Sequence, residues 1–197
     1  MIVAASFGGG DVHYAWGGVE DSVTTVGTFQ RAAALSVDPD GNAYVVDAGK
    51  NFLEKFSFRG EHTGSVGGYG WSELSFDHPA DLSLSSGLDL YVADYGNHRV
   101  QRFDRNLNFV ATLSGRTEGL SELSFGYPFG VALSRAGVLF IADGENARVA
   151  VVNPIRGTTW FFGGNEARAG KLTQPGRIRV GSDDVVHVQD RNCIKEF

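Results

Sequence analysis

Short apolar stretches punctuated by turn-forming residues recur along the chain, and none follows the 3.6-residue period of an amphipathic helix. Four tetrads, YVVD at 44–47, YVAD at 91–94, FIAD at 140–143 and HVQD at 187–190, run apolar or alternate and then end on an aspartate. The aspartates Asp47, Asp94, Asp143 and Asp190 stand 47, 49 and 47 residues apart. Upstream of each tetrad lies another apolar or alternating segment, at 34–37, 82–84, 131–133 and 178–180. The turns between, DPDG, SSG, SRAG and GSDD, suit hairpins. Third strands are expected at 53–58, 100–103 and 149–152, and fourth strands at positions such as 109–113 and 159–162. Four short strands per repeat, without a helix, is the pattern of a β-propeller blade. The linking loops repeat too: SELSF occurs at 72–76 and again at 121–125, followed by Pro79 and Pro128, with Pro175 in the next register.

Both ends carry partial repeats. VHYAWGG at 12–18 resembles the fourth-strand segment TWFFGG at 159–164, and 2–7 reads as a third strand. The C-terminal portion supplies a first strand, a second strand and a stub at 194–197. The expectation is one all-β propeller domain over 1–197. It has about four blades: 1–30 (partial), 31–78, 79–127, 128–174 and 175–197 (partial). Segments 2–7 and 194–197 compete for one third-strand slot. Two arrangements therefore stay open: a ring closed by pairing of N- and C-terminal strands, which would remove exposed sheet edges, or part of a larger propeller.

The stretch LYVADYGNHRVQRF at 90–103, echoed by LFIADGENARV at 139–149, resembles the NHL-repeat family of β-propellers. The resemblance runs from about Ala32 to Phe197. Repeats one and four depart from it, with Lys50, Asn51 and Phe52, and Arg191, Asn192 and Cys193, where the family has Asn-His-Arg. It implies a propeller, commonly six-bladed in that family. Activity is left open, because similar propellers include protein-binding, RNA-binding and enzymatic members.

Charge and composition narrow the classes. With 23 acidic against 17 basic side chains and a formal charge of −6, the chain offers a nucleic-acid backbone no general electrostatic attraction. Nucleic acid is not an expected partner without a local basic patch such as Arg99, Arg102, Arg105 and Arg148 could form. No apolar run reaches the roughly 20 residues of a membrane-spanning helix, and the first seven residues lack the features of a signal peptide. The single cysteine, Cys193, excludes an internal disulfide and leaves the compartment open.

Candidate chemistry is sparse. The four repeated aspartates could form a cation site at one mouth of the channel, but short acidic residues in turns ordinarily accept backbone hydrogen bonds, which is the expected role. Arg99 and Arg148, with Lys50 as a looser counterpart, are expected to bridge an aspartate or carbonyl of the adjoining blade. The five histidines show no metal-ligand spacing, and there is no nucleophile-elbow motif. No cofactor is expected, although a central channel could take a metal ion; no catalytic residue is identified. Aromatic residues are the stronger lead, because they bury large areas with few rotatable bonds. Trp16 and Trp160 are expected between blades, and Tyr127 and Phe129 around Pro128. Tyr69 and Trp71, set among glycines, are the expected contact residues. The binding set is therefore Tyr69, Trp71, Tyr127, Phe129, Arg99 and Arg148. The function expected is a non-enzymatic scaffold presenting loops to a protein or peptide. The alternative is a small-molecule, glycan or metal-binding propeller, including a metal-dependent lyase or hydrolase acting at the channel.

Overall fold

The computed structural model describes residues 11–14, 24–85, 89–114 and 124–197. Apart from a short 3-10 turn at Tyr95–Asn97, its regular elements are all strands. Strands β1 (Asp11–Tyr14) and β2 (Thr24–Thr28) form a two-stranded sheet. Blade 1 follows with β3 (Ala32–Val37), β4 (Ala43–Asp47), β5 (Phe52–Phe56) and β6 (His62–Gly67). Blade 2 comprises β7 (Pro79–Ser85), β8 (Asp89–Asp94), β9 (Arg99–Asp104) and β10 (Phe109–Leu113). Blade 3 comprises β11 (Pro128–Leu133), β12 (Leu139–Asp143), β13 (Arg148–Asn153) and β14 (Thr158–Phe162). Blade 4 has β15 (Pro175–Val180), β16 (Val186–Asp190) and β17 (Cys193–Glu196) among the described residues. Each blade is an antiparallel meander in sequence order. The first strands neighbour one another in turn, β3 against β7, β7 against β11 and β11 against β15, and so surround the axis of a four-bladed β-propeller.

The inner strands begin earlier than their apolar pattern suggests. Pro79, Pro128 and Pro175 are each the first strand residue and sit opposite Asp94, Asp143 and Asp190, with an irregular register just after. Proline is tolerated there because a strand's first residue can do without a ladder donor. Close approach at the axis also needs glycine: a Cβ on Gly130 of β11 would stand 2.5 Å from the Gly176 carbonyl of β15.

Blade-to-blade packing fills the space between sheets with alternate residues of each strand. Between blades 1 and 2, Tyr44, Val46 and Leu53 meet Phe76, Leu82, Leu90 and Phe103. Between blades 2 and 3, Tyr91, Ala93 and Val100 meet Val131, Leu139 and Ile141. Between blades 3 and 4, Ala142, Val149 and Val151 meet Leu172, Ile178 and Val188. Tyr44 also ties two blades together through its hydroxyl, which donates to the Arg105 carbonyl at 2.9 Å and approaches Asp38 at 3.2 Å. Burial, reinforced by the Asp38 charge, raises its pKa above the usual tyrosine value.

The N-terminal strands depart in part from expectation. At the segment 12–18, expected as a fourth strand, the structure has β1, Asp11–Tyr14, paired with β2, whereas 15–18 and the third strand expected at 2–7 lie outside the described residues. β2 was not anticipated: TTVGT alternates poorly, and it is defined by pairing with β1. Next to it, Phe29 packs edge-on to Phe56 at 5.8 Å on the back of blade 1. β1–β2 and β17 belong to separate sheets, so the described strand pairs do not include one joining the N- and C-terminal strands. Trp160, expected between blades, is 48 % exposed on β14, the outermost strand of blade 3, where one side of the sheet faces solvent. Trp16 lies outside the described residues.

Candidate functional site

The loops that link one blade to the next lie on the same side as the turns after β4, β8, β12 and β16, and the four repeated aspartates organise that side. All are buried: Asp47, Asp94 and Asp143 at 0 % and Asp190 at 3 % exposure. Asp94 accepts from the Asp77 amide (2.8 Å), Asn97 Nδ2 (2.9 Å), Arg99 Nε (2.7 Å) and Gln101 Nε2 (3.2 Å). Asp143 repeats the scheme with the Gly126 amide, Asn146 and Arg148. Asp47 accepts backbone amides from Gln30, Arg31, Gly49 and Lys50. Asp190 accepts from Thr173, Gln174 and Lys195. Each carboxylate thus clamps the loop arriving from 16 or 17 residues upstream.

At Asp47, Asp94 and Asp190 burial opposes the charge while the donors favour it, and the balance differs from site to site. At Asp47 burial pushes the pKa up, but four amides outweigh it and the pKa is lowered. Asp190 is likewise lowered, its burial overcome by Lys195 and the Gln174 and Thr173 groups. At Asp94 burial wins despite Arg99, and the pKa is raised. Every ring member is committed to its own loop, and among the described residues no three His, Cys, Asp or Glu side chains converge to hold a metal ion.

Arg99 and Arg148 hold an aspartate of their own blade, whereas the carbonyls they hold come from the incoming loop. Arg99 donates to the carbonyls of Trp71 (3.0 Å), Ser72 (2.7 Å) and Ser75 (2.9 Å). Arg148 donates to the Ser124 carbonyl at 3.0 Å and stacks over Phe161. Both guanidinium groups are thereby occupied by loop backbone. In blade 1 Phe52 occupies the register position of Arg99, and Lys50 reaches Asp47 from the turn at 3.5 Å. In blade 4 the turn is two residues shorter, so Cys193 takes the arginine position and Lys195 takes that of Gln101, reaching Asp190 at 2.8 Å. Lys195 was not recognised from sequence because the shortened turn breaks the spacing.

The loop held by Arg99 presents the expected contact pair. Tyr69 and Trp71 are each 70 % exposed, with Leu74 at 52 % beside them, while Phe76 of the same loop is fully buried. Backbone bonds from Gly68 to Asn51, Gly70 to Phe76 and Phe76 to Gly68 fix the segment. Tyr127 and Phe129 are placed differently. Tyr127 stacks on Tyr95 at 4.8 Å and meets His98 at 4.5 Å, and Phe129 lies edge-on to Tyr95 at 6.0 Å. Tyr95, absent from the candidates, is thus the centre of an aromatic cluster that separates two cavities. One, of about 420 Å³, is bordered by Glu145, Gln174, Gln189 and Arg191. The other, of about 560 Å³, lies at the mouth of the axis between Ala33, Ala80, Arg31 and Arg177.

Below that mouth, Asp81 of β7 is 0 % exposed and accepts from Arg179 of β15 at 2.9 and 3.3 Å and from the Val131 amide of β11 at 3.2 Å. Arg177 stands 3.7 Å from the same carboxylate and donates to the Ala33 carbonyl of β3 at 3.1 Å. One ionic cluster therefore touches all four inner strands. Burial works against the Arg179 charge, but the bonds to Asp81 outweigh it and raise the arginine's pKa. The available signal was the pair Arg177 and Arg179 where blade 3 has Gly130 and Ala132. The arginines whose clustering would have favoured RNA instead each face an acid: Arg99 Asp94, Arg102 Asp89, Arg105 Asp40 and Arg148 Asp143.

Residues 76–103 match the NHL repeat model. Among solved structures, the nidogen/laminin complex superimposes with a TM-score of 0.71 at 12 % identity, over 94 % of this chain and 68 % of that one. A catalytically inactive virginiamycin B lyase from Staphylococcus aureus, solved with quinupristin, gives a TM-score of 0.68 at 13 % identity, over 96 % and 63 %. A streptogramin B lyase gives 0.63 at 14 % identity, over 84 % and 51 %, so this chain spans about half the length of that lyase. At such identities the likeness establishes the propeller fold. No curated protein sequence matches the chain. Among the described residues, no helix is long and apolar enough to cross a membrane.

Proposed function

We propose that this propeller is a non-enzymatic scaffold that binds a protein or peptide through the face carrying its blade-linking loops, with Tyr69 and Trp71 as the anchoring side chains. The observation that carries the reading is that both rings stand 70 % exposed on a loop whose backbone Arg99 holds at three carbonyls. Large aromatic side chains on a fixed backbone lose little conformational freedom on binding, which favours them as hot spots. Arg99 and Arg148 act in this reading as positioning residues, and Tyr127 and Phe129 as the neighbouring floor. The nidogen/laminin complex, a structure of one protein bound to another, is compatible with such a use of the fold.

The test is selection of peptides from a random displayed library against the purified chain, followed by calorimetric titration of those recovered. Truncating both rings in a Tyr69→Ala, Trp71→Ala double variant is expected to weaken binding at least ~30-fold, equivalent to about 2 kcal/mol, with the melting temperature unchanged. Peptides that bind the double variant as tightly as the parent, or failure to recover any peptide, would refute the reading.

A further inference from the structure

The 560 Å³ cavity at the mouth of the axis has a chemistry that neither the fold nor the exposed loop explains. Its lower wall is built from small apolar residues, Ala32, Ala33, Pro79 and Ala80, at the starts of β3 and β7. Tyr95 and Phe129 close one side as flat aromatic surfaces. Two arginines, Arg31 and Arg177, line the same space.

Among the described residues neither arginine has a carboxylate to itself. Asp81 is a single carboxylate shared by two arginines; Arg179 takes both of its oxygens, leaving Arg177 at 3.7 Å. That trio carries a net positive charge beside the cavity. Arg31 is held by its backbone, its amide donating to Asp47 at 3.0 Å and its carbonyl accepting from Ala48 at 2.9 Å. Its guanidinium makes one long bond, 3.5 Å to the Ala48 carbonyl, and has no carboxylate within 4.0 Å among the described residues. The remaining basic group at the rim, His78, already has the Asp77 carboxylate against its ring nitrogen. In a chain of net charge −6, two arginines without a carboxylate of their own among the described residues therefore border one cavity with an apolar floor. Guanidinium forks recognise carboxylates bidentately, and alanine, proline and aromatic walls exclude water from an apolar body.

We propose that this cavity binds a monocarboxylate carried on an aromatic or aliphatic body, with Arg31 and Arg177 taking the carboxylate and Phe129 and Tyr95 flanking the body. The site does not depend on Tyr69 and Trp71 being a peptide-binding surface. The same chemistry could come from a free small acid or from the C-terminus of a peptide.

The probes are 3-phenylpropanoate, its neutral amide 3-phenylpropanamide, and the peptide acid acetyl-Gly-Gly-Phe, each titrated into the isotope-labelled chain and followed by amide NMR shifts. The acid should bind with a dissociation constant of about 1 mM or tighter, with the largest shifts at Arg31, Ala33, Ala80 and Phe129. The amide should bind at least ~10-fold more weakly, since it lacks the charge. Arg31→Gln removes one cation and only a single long hydrogen bond, so the fold is retained and affinity for the acid should fall about 10-fold. A peptide acid binding more tightly than 3-phenylpropanoate identifies a peptide terminus as the source; the reverse order identifies a free acid. The proposal is overturned if acid and amide bind alike, if Arg31→Gln binds the acid as well as the parent, or if no shifts develop by about 10 mM.

Discussion

Removing Arg179 should cost more stability than neutralising the aspartate it holds. Asp81 is 0 % exposed, whereas the side chains of Arg177 and Arg179 are 43 % and 56 % exposed. The arginines can turn to water when the carboxylate is lost; the carboxylate has no such exit when an arginine is lost. Breaking a buried pair by deleting one partner typically costs about 3–5 kcal/mol, and partial exposure of the arginines places this case toward or below the lower end. Arg179→Met, which leaves Asp81 with the Val131 amide and Arg177 at 3.7 Å, is therefore expected to cost about 2–3 kcal/mol. Asp81→Asn keeps an oxygen for the Val131 amide and frees the arginines to hydrate, for about 1 kcal/mol. Replacing both arginines by Met strands the charge and should cost about 4 kcal/mol. At roughly 2–4 °C per kcal/mol for a chain of this length, calorimetric melting will separate the three variants. If Asp81→Asn melts as low as Arg179→Met or lower, the carboxylate is not the dependent member and the reasoning fails.

Arg99→Ala should release the segment that carries Tyr69 and Trp71, costing about 3 kcal/mol because Asp94 is left buried with fewer donors, and limited proteolysis should cut between residues 68 and 78 much faster. Arg99→Lys should rescue little of this, since one ammonium cannot reproduce the fork to three carbonyls; equal protease resistance in the lysine variant would contradict the assignment. Acid should act on the aspartates in opposite senses. The lowered pKa values of Asp47 and Asp190 mean stability that is present above about pH 4 and lost as pH falls below it, whereas the raised value of Asp94 means a folded state favoured by its protonation, so its contribution improves as pH falls toward 4. Asp190→Asn should therefore flatten the fall of melting temperature below about pH 4, and Asp94→Asn should not; parallel curves for the two variants would refute this.

The strand plan was legible because hairpins announce themselves twice, in period-2 apolar positions and in turn residues. β10, expected at 109–113, is found at Phe109–Leu113. The inner strands were read short, since proline and the irregular register after it hide the ladder at Pro79, Pro128 and Pro175. The role of the aspartates as loop clamps could be foreseen from their chemistry, and so could the exposure of Tyr69 and Trp71 from their glycine-rich surroundings. The cavity could not. Arg31, Ala80, Phe129 and Arg177 come from four different repeats, and their meeting at the axis depends on how the blades are arranged about it.

Equivalent positions then show why a repeat pattern fixes strands better than it fixes surfaces. Leu53, Val100 and Val149, each opposite the penultimate residue of its blade's second strand, are 0 % exposed because the next blade's first strand and loops cover them. Ile194 holds the same register opposite Gln189 and is 71 % exposed. Ile178 and Val188 face blade 3, so strand alternation turns Arg177, Arg179, His187 and Gln189 to the opposite side, where they border an open hollow of about 780 Å³ with Ile194. At the inner-strand positions on that side blade 4 has Arg177 and Arg179 where blade 1 has Ala34 and Ser36, blade 2 has Asp81 and Ser83, and blade 3 has Gly130 and Ala132. Arg177 and Arg179 project from it to Asp81 and to the Ala33 carbonyl, so the charged side chains of this register, Asp81 included, join the fourth blade to the first two across the axis.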